Sequence, residues 1–324
     1  MNRIEQWRRE YGRYFGGCLL LWVSLTSAAS ATEPPITALA FAPGGESIVA
    51  VSQDGVQVFS WPALTRKRTI EISTPNLHCL AFSPDGKHVA VGGGRPSEEG
   101  VVEVLSWPAG QLVATLDDHQ DSIRSVGWVD ESRLMTTSID HEIKRWNLEN
   151  KTEVRTFRGH SRGVYASCLL KDGTTFVSAG ADQSLRVWDL DSAKLLHSLN
   201  QHTGPVHDLA VRPTKEGLPM VASASGDRTI RFWQPTIGRM VRFTRLKSEP
   251  LDITWTTDGS LVLAACVDGR TRVIDAETVE VIKTIQAIGG WAYAIAVSPG
   301  GDGLAVGGAN GQIRRLDASV LTLK

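Results

Sequence analysis

The sequence predicts an all-β fold made of seven copies of one four-stranded antiparallel unit, closed into a ring. Three observations lead there. The phrase VSAGADQSLRVWDL (Val177–Leu190) returns as MTTSIDHEIKRWNL (Met135–Leu148) and VASASGDRTIRFWQ (Val221–Gln234), and in weaker form about every 41 residues. A repeat of that length is one supersecondary unit, which cannot bury its apolar face without neighbours. Each unit opens on the same apolar strand running into a turn. Inside each unit, alternating and β-branched runs are punctuated by turn residues roughly every 8–12 residues, the spacing of antiparallel strands.

The opening strands line up as ITALAFAPGG from Ile36, LHCLAFSPDG from Leu77, IRSVGWVDES from Ile123 and VYASCLLKDG from Val164. VHDLAVRPTK from Val206, PLDITWTTDG from Pro250 and AYAIAVSPGG from Ala292 complete the series. The Pro-Asp-Gly ending turns the chain because Pro presets its φ and Gly accepts positive φ. A second apolar strand follows, such as HVAVGG (His88–Gly93) or TFVSAG (Thr175–Gly180). Then come a tight polar turn, a third strand such as SLRVWDL (Ser184–Leu190), and a fourth such as KLLHSL (Lys194–Leu199). The units are expected near residues 36–74, 75–120, 121–160, 161–202, 203–248, 249–290 and 291–324. Two insertions stand out: GGGRPSEEG (Gly92–Gly100) in unit two, with Glu98 and Glu99 expected to be exposed, and RPTKEGLP (Arg212–Pro219) in unit five.

Three units carry four residues in one register: His119, Thr136, Asp140 and Trp146; His160, Ser178, Asp182 and Trp188; His202, Ser223, Asp227 and Trp233. The hydroxyl always stands four residues before Asp, and Trp six after it. With RGH (Arg158–His160) and Trp188-Asp189, these sets resemble the WD-repeat β-propeller family over about residues 35–324. The resemblance implies a seven-bladed β-propeller of four-stranded antiparallel blades. It also implies a structural tetrad, in which His bonds Asp and the hydroxyl, and the hydroxyl takes the indole N–H. A Ser-His-Asp catalytic reading fits poorly, because the sets recur blade after blade. Units one, two, six and seven carry Phe59, Leu105, Ile274 and Leu316 in place of Trp and lack the His, so apolar packing is expected there. Trp61 and Trp107, in FSWPAL and LSWPAG, are expected to cover blade edges. The tail ASVLTLK (Ala318–Lys324) has room for a fourth strand of unit seven. A weak seam without strand exchange is therefore expected between units one and seven.

Met1–Ala31 has a different composition. Arg3, Arg8, Arg9 and Arg13 precede the apolar, uncharged GGCLLLWVSLTSA (Gly16–Ala28), and Ala29-Ser30-Ala31 follows. This is the layout of a secretory signal peptide, with a mature start near Thr32. The expectation is an exported protein of bacterial type, periplasmic or extracellular, or a membrane-anchored one if the segment stays uncleaved. The apolar run is short against the roughly 20 residues that span a bilayer. The remainder, residues 32–324, carries 30 basic and 33 acidic side chains. That balance argues against nucleic acid, which calls for a strongly basic face. Cys79, Cys168 and Cys266 lie in strand-like apolar runs and are odd in number, so buried free thiols are expected rather than disulfides. No pair has metal-ligand spacing, and neither a metal nor a cofactor is expected.

The first strand of each unit should line the central channel, where Ala38, Cys79, Ser125, Ala166, Asp208, Asp252 and Ala294 recur in register. Asp208 and Asp252 are the exceptions among small residues, and solvated channel lining is preferred for them over an ion site. One residue earlier stand Thr37, His78, Arg124, Tyr165, His207, Leu251 and Tyr293, with Trp291 nearby. These should ring the channel mouth. His78, Arg124, Tyr165, His207, Tyr293 and Trp291 are of types enriched in binding hot spots. Basic residues two before the Trp position (Lys144, Arg186, Arg231, Arg272 and Arg314) read as a solvated or stacked structural belt. The expected function is that of a non-enzymatic, monomeric scaffold docking a protein partner on the mouth face. The alternatives are a small-molecule enzyme or ligand-binding propeller acting at the mouth, and a membrane-anchored scaffold.

Overall fold

The computed structural model describes residues 33–213 and 217–321. The leader-like Met1–Ala31 and part of the Arg212–Pro219 insertion lie outside these residues. Among the described residues no helix is long and apolar enough to cross a membrane.

Blade one comprises β1 (Ala38–Phe41), β2 (Ser47–Ser52), β3 (Gly55–Ser60) and β4 (Arg66–Ile70). Blade two has β5 (Cys79–Phe82), β6 (His88–Arg95), β7 (Glu99–Ser106) and β8 (Leu112–His119). Blade three has β9 (Ile123–Trp128), β10 (Arg133–Ser138), β11 (Ile143–Asn147) and β12 (Thr152–Phe157). Blade four has β13 (Val164–Leu169), β14 (Thr175–Gly180), β15 (Leu185–Asp189) and β16 (Leu195–Leu199). Blade five has β17 (Val206–Val211), β18 (Val221–Ser225), β19 (Thr229–Gln234) and β20 (Arg239–Arg245). Blade six has β21 (Pro250–Trp255), β22 (Leu261–Cys266), β23 (Arg270–Asp275) and β24 (Val281–Gln286). Blade seven has β25 (Ala292–Val297), β26 (Gly303–Gly308) and β27 (Ile313–Asp317).

Each sheet is an antiparallel meander in sequence order. The innermost strands β1, β5, β9, β13, β17, β21 and β25 abut one another in turn, and β25 meets β1. The architecture is the seven-bladed β-propeller expected from the sequence. Both faces of every blade are covered by neighbours, so the second strands do not alternate between buried and exposed residues; β14, β22 and β26 are buried at every position. Seven apolar clusters follow, one per interface between blades. The Gly92–Gly100 insertion extends β6 and β7 into a longer hairpin, in which Arg95 pairs with Glu99 at 2.7 Å and Glu98 is exposed.

The last blade departs from the four-strand plan. Ala318–Val320 form a short 3-10 turn, and blade seven has three strands among the described residues. β1 pairs with β2 of its own blade, and among the described residues no strand of blade one pairs with blade seven. The seam instead rests on particular contacts. Ile36 N–H donates to the Gly308 carbonyl at 3.0 Å. Trp61 Nε1 donates to both oxygens of Asp302 at 3.1 and 3.2 Å, and Arg315 lies over the same indole. Trp61 packs edge-on against Phe41, as Trp107 does against Phe82. The apolar cluster at this seam, Ile36, Ile48, Ala50, Phe59 and Ala305, is smaller than the other six and draws one buried residue from blade seven. Sparse burial permits local opening. Amides of β27 and of Ile36 are therefore expected to exchange hydrogen faster than those of β14 and β15; equal protection by mass spectrometry would contradict a weak seam.

Candidate binding face

In blades three to five the tetrad residues meet in one geometry. His119 Nδ1 lies 2.7 Å from Asp140 Oδ2, and Nε2 lies 2.7 Å from Thr136 Oγ1. Trp146 Nε1 donates to Thr136 Oγ1 at 2.8 Å. His160, Asp182, Ser178 and Trp188 repeat this at 2.9, 2.7 and 2.8 Å, and His202, Asp227, Ser223 and Trp233 at 2.8, 2.7 and 2.8 Å. One arrangement of protons satisfies every group. The indole N–H donates to the hydroxyl oxygen, the hydroxyl donates to Nε2, and Nδ1–H donates to the carboxylate. A second proton on the imidazole would leave the hydroxyl hydrogen without an acceptor. The same carboxylates accept the backbone N–H of Gln120, Ser161 and Thr203, which ties the loop from the preceding blade to the turn. Thr136, Ser178 and Ser223 are fully buried, and each hydroxyl already holds an indole, so none is available as a nucleophile.

These bonds shift titration. Burial pushes the His202 imidazole down to about 4, outweighing the Asp227 carboxylate that favours its charged form. For Asp227, burial alone acts upward, but hydrogen bonds from Thr229, His202 and the Thr203 backbone bring it below the usual range. His202 has a folded value below its ordinary 6.5, so its stabilisation is full above about pH 6.5 and is lost as pH falls towards 4. The expected loss is on the order of 3 kcal/mol. Urea midpoints measured from pH 7 to 4 check this, and a flat profile would refute it. Replacing buried Trp188 by Ala is expected to cost roughly 3–5 kcal/mol in the same assay.

Where the tetrad is missing, blades six and seven use apolar substitutes in the same places. Leu246, Ala264 and Ile274 pack together in blade six, and Ile288, Val306 and Leu316 in blade seven. Blade two differs: the buried Glu103 Oε1 accepts from the backbone and hydroxyls of Ser73 and Thr74 at 2.6–2.9 Å. A buried carboxylate requires such partners, and Ser73 stands where His stands elsewhere. The basic belt is paired rather than solvated, and its Arg231 also stacks over the Phe243 ring at 5.3 Å. Lys144 meets Asp118 at 2.6 Å, Arg272 meets Asp268 at 2.6 Å, Arg186 and Arg231 approach Asp182 and Asp227 at 3.7 and 3.4 Å, and Arg314 donates to the Gln286 carbonyl at 2.9 Å.

The structure brings four mouth residues into one row. Arg124 lies over the Tyr165 ring at 5.5 Å, and Tyr165 stacks on His207 at 6.2 Å with planes 4° apart. His207 Nε2 lies 2.7 Å from Glu249 Oε1. His78 stands beside Arg124; burial first, and then the Arg124 charge, hold its imidazole down to about 4. Tyr293 and Trp291 form a separate pair at 5.8 Å, and Trp291 is 52% exposed. Thr37 is used structurally, its hydroxyl donating to the Leu77 carbonyl at 2.7 Å. Arg124 makes no ion pair among the described residues, and its Nε is buried without a hydrogen-bond partner. Glu249 escaped the sequence reading because it precedes the first strand of blade six, outside the register that picked out the ring.

Asp208 and Asp252 are half-buried and bonded rather than solvated. Asp208 Oδ2 accepts from Ile253 N–H at 3.0 Å and Asp252 Oδ2 from Ile295 N–H at 2.7 Å, so each carboxyl clips its blade to the next. The two side chains also meet. Burial raises both, and the Asp208 charge raises Asp252 further, so the pair holds a proton above the usual carboxylate range. A raised folded value gives stability at low pH that is lost as pH rises through it. Asp252→Asn keeps an N–H donor towards Asp208, so it should flatten the alkaline limb of the stability profile; an unchanged limb would count against the shared proton. Cys79, Cys168 and Cys266 are free, and burial raises their thiols, Cys79 to about 12 and Cys266 to about 11. Among the described residues no three His, Cys, Asp or Glu side chains gather as metal ligands.

The WD domain, G-beta repeat family matches residues 65–102, 110–147, 151–189 and 193–234. The chain is 26% identical over 228 residues to the periodic tryptophan protein 2 homolog of Dictyostelium discoideum, covering 68% of this chain and 24% of that protein. It is 27% identical over 237 residues to cell division cycle 20.1, cofactor of APC complex, of Arabidopsis thaliana, covering 68% and 50%. With the Mus musculus periodic tryptophan protein 2 homolog it shares 30% identity over 212 residues, covering 64% and 22%. The chain thus spans half or less of the length of these curated relatives.

Proposed function

From a chain that belongs to the WD40 repeat family, we infer a non-enzymatic scaffold that docks a protein partner on the face around the channel mouth. The observation that carries this reading is the Arg124 row. A guanidinium lies on Tyr165, Tyr165 stacks on His207, and Arg124 has no carboxylate of its own among the described residues. Arg stays charged at neutral pH, and an unpaired cation near the protein interior is costly. A partner carboxylate set against it would relieve that cost, while the aromatic faces of Tyr293 and Trp291 supply contact area. One relative is named as a cofactor of a protein complex, which supports an assembly role. The leader-like Met1–Ala31 supports an exported or membrane-tethered setting, which N-terminal sequencing of the native protein decides.

The test is a variant carrying Arg124→Ala, Tyr165→Ala and His207→Ala. Crosslinked affinity capture from native extract is expected to lose its partner on this variant and keep it on Lys67→Gln, while the thermal midpoint changes little. Equal loss of folding and capture would overturn the site, and undiminished capture would do the same.

A further inference from the structure

A second site of different chemistry lies between blades five and six. Arg245 and Lys247, at the end of β20 and just beyond, face Arg270 and Arg272 of β23 across a cleft of about 560 Å³, with Thr284 and Gln286 of β24 also lining it. Its charge is not balanced from within. Both oxygens of Asp268 are taken by Arg272, at 3.0 and 2.6 Å. Arg270 donates to the Gln286 amide oxygen at 3.2 Å, which neutralises nothing. Arg245 and Lys247 are exposed and make no ion pair among the described residues. Four cations thus share one carboxylate, in a chain whose net charge is −1.

The repeat shows what is missing. Arg245, the last residue of β20, stands five residues before the first strand of blade six, and the belt residue Arg272 of blade six lies opposite. In blade three those two places hold Asp118 and Lys144, which form an ion pair at 2.6 Å. In blade four they hold Gly159 and Arg186, with the glycine lying against the Trp188 ring. In blade five they hold Gln201 and Arg231, and in blade seven Ala287 and Arg314. Among these blades, only blade six has a cation at both places. It also replaces the His and Trp of the tetrad with the smaller Leu246 and Ile274, so less side chain fills the interface. The carboxylate that blade three supplies from its own chain has no counterpart here.

We propose that the Arg245–Arg272 cleft binds a tetrahedral oxyanion, as free phosphate or as a phosphate monoester. Three uncompensated cations favour a dianion over a monoanion, and guanidinium forks match phosphate oxygens in pairs. The volume falls within the range of small-ligand sites. The site is separate from the Arg124 row and does not rest on the docking proposal.

Calorimetric titration of the full chain with inorganic phosphate and with O-phosphoserine, at constant ionic strength set with chloride, tests it. Saturable binding is expected, weakened at least about tenfold in Arg245→Gln/Lys247→Gln and unaltered in Arg124→Ala. Arg245→Asp rebuilds the pairing of blade three and is expected to abolish binding while raising the thermal midpoint. Tighter binding of phosphoserine identifies an ester ligand, and tighter binding of phosphate the free ion; either supports the site. No saturation beyond chloride, or undiminished binding by the Gln/Gln or the Asp variant, overturns it.

Discussion

Every blade is apolar on both faces, so none can be stable alone; packing of blade on blade is the interaction from which the other features follow. It explains why second strands such as LVLAAC (Leu261–Cys266) are buried throughout rather than at alternate residues. It explains why the core divides into seven clusters between blades instead of gathering in one centre. It also makes closure obligatory, because an unclosed array would leave two apolar faces in water. The seam between blades one and seven meets that requirement with modest means: one buried residue of blade seven, one backbone bond, and the Trp61–Asp302 contact.

Polar groups add direction to this packing. Apolar contact fixes which faces meet but tolerates sliding, whereas a hydrogen-bond chain has one geometry. In blades three to five the chain from indole to carboxylate locks the second strand, the third strand and the incoming loop of the previous blade. Asp208 and Asp252 do the same at the channel, each reaching a backbone N–H of the next blade. Glu103 does it in blade two from the belt position, gripping Ser73 and Thr74. The directional bonds thus sit mainly in blades two to six, opposite the seam.

The sequence carried the fold in unusual detail because the repeat supplies its own alignment: one well-formed tetrad indexes its neighbours, and Thr136, Ser178 and Ser223 could each be placed by counting from Asp. The same counting located the apolar substitutes Ile274 and Leu316. It failed where a residue's partner comes from another blade and a different register. The Asp208–Asp252 contact and the Glu249–His207 bond depend on how strands of adjacent blades are staggered, which no pattern within one unit records. The grip of Glu103 on Ser73 and Thr74 was equally hidden, because its four donors lie about 30 residues earlier, before the first strand of the blade. The tail was less legible: Ala318–Val320 form a 3-10 turn although Val320 favours strands, because pairing also requires an extended backbone beside β27, and Thr322–Lys324 lie outside the described residues.

A repeat protein makes departures informative in a way that a single-copy fold does not. When seven positions are equivalent by construction, a residue that breaks the rule is measured against internal controls within the same molecule. Gln57 replaces a belt cation in blade one and finds Ser52, and Glu103 replaces one in blade two and finds Ser73 and Thr74; those breaks are compensated on the spot. Arg124 and Arg245 are breaks of another kind. Each puts a guanidinium where the corresponding residues of neighbouring blades are neutral or acidic, and neither meets a carboxylate among the described residues. Measured against their own repeats, these two are the breaks that the described residues leave without a carboxylate, Arg124 half-buried at the start of β9 and Arg245 exposed between blades five and six.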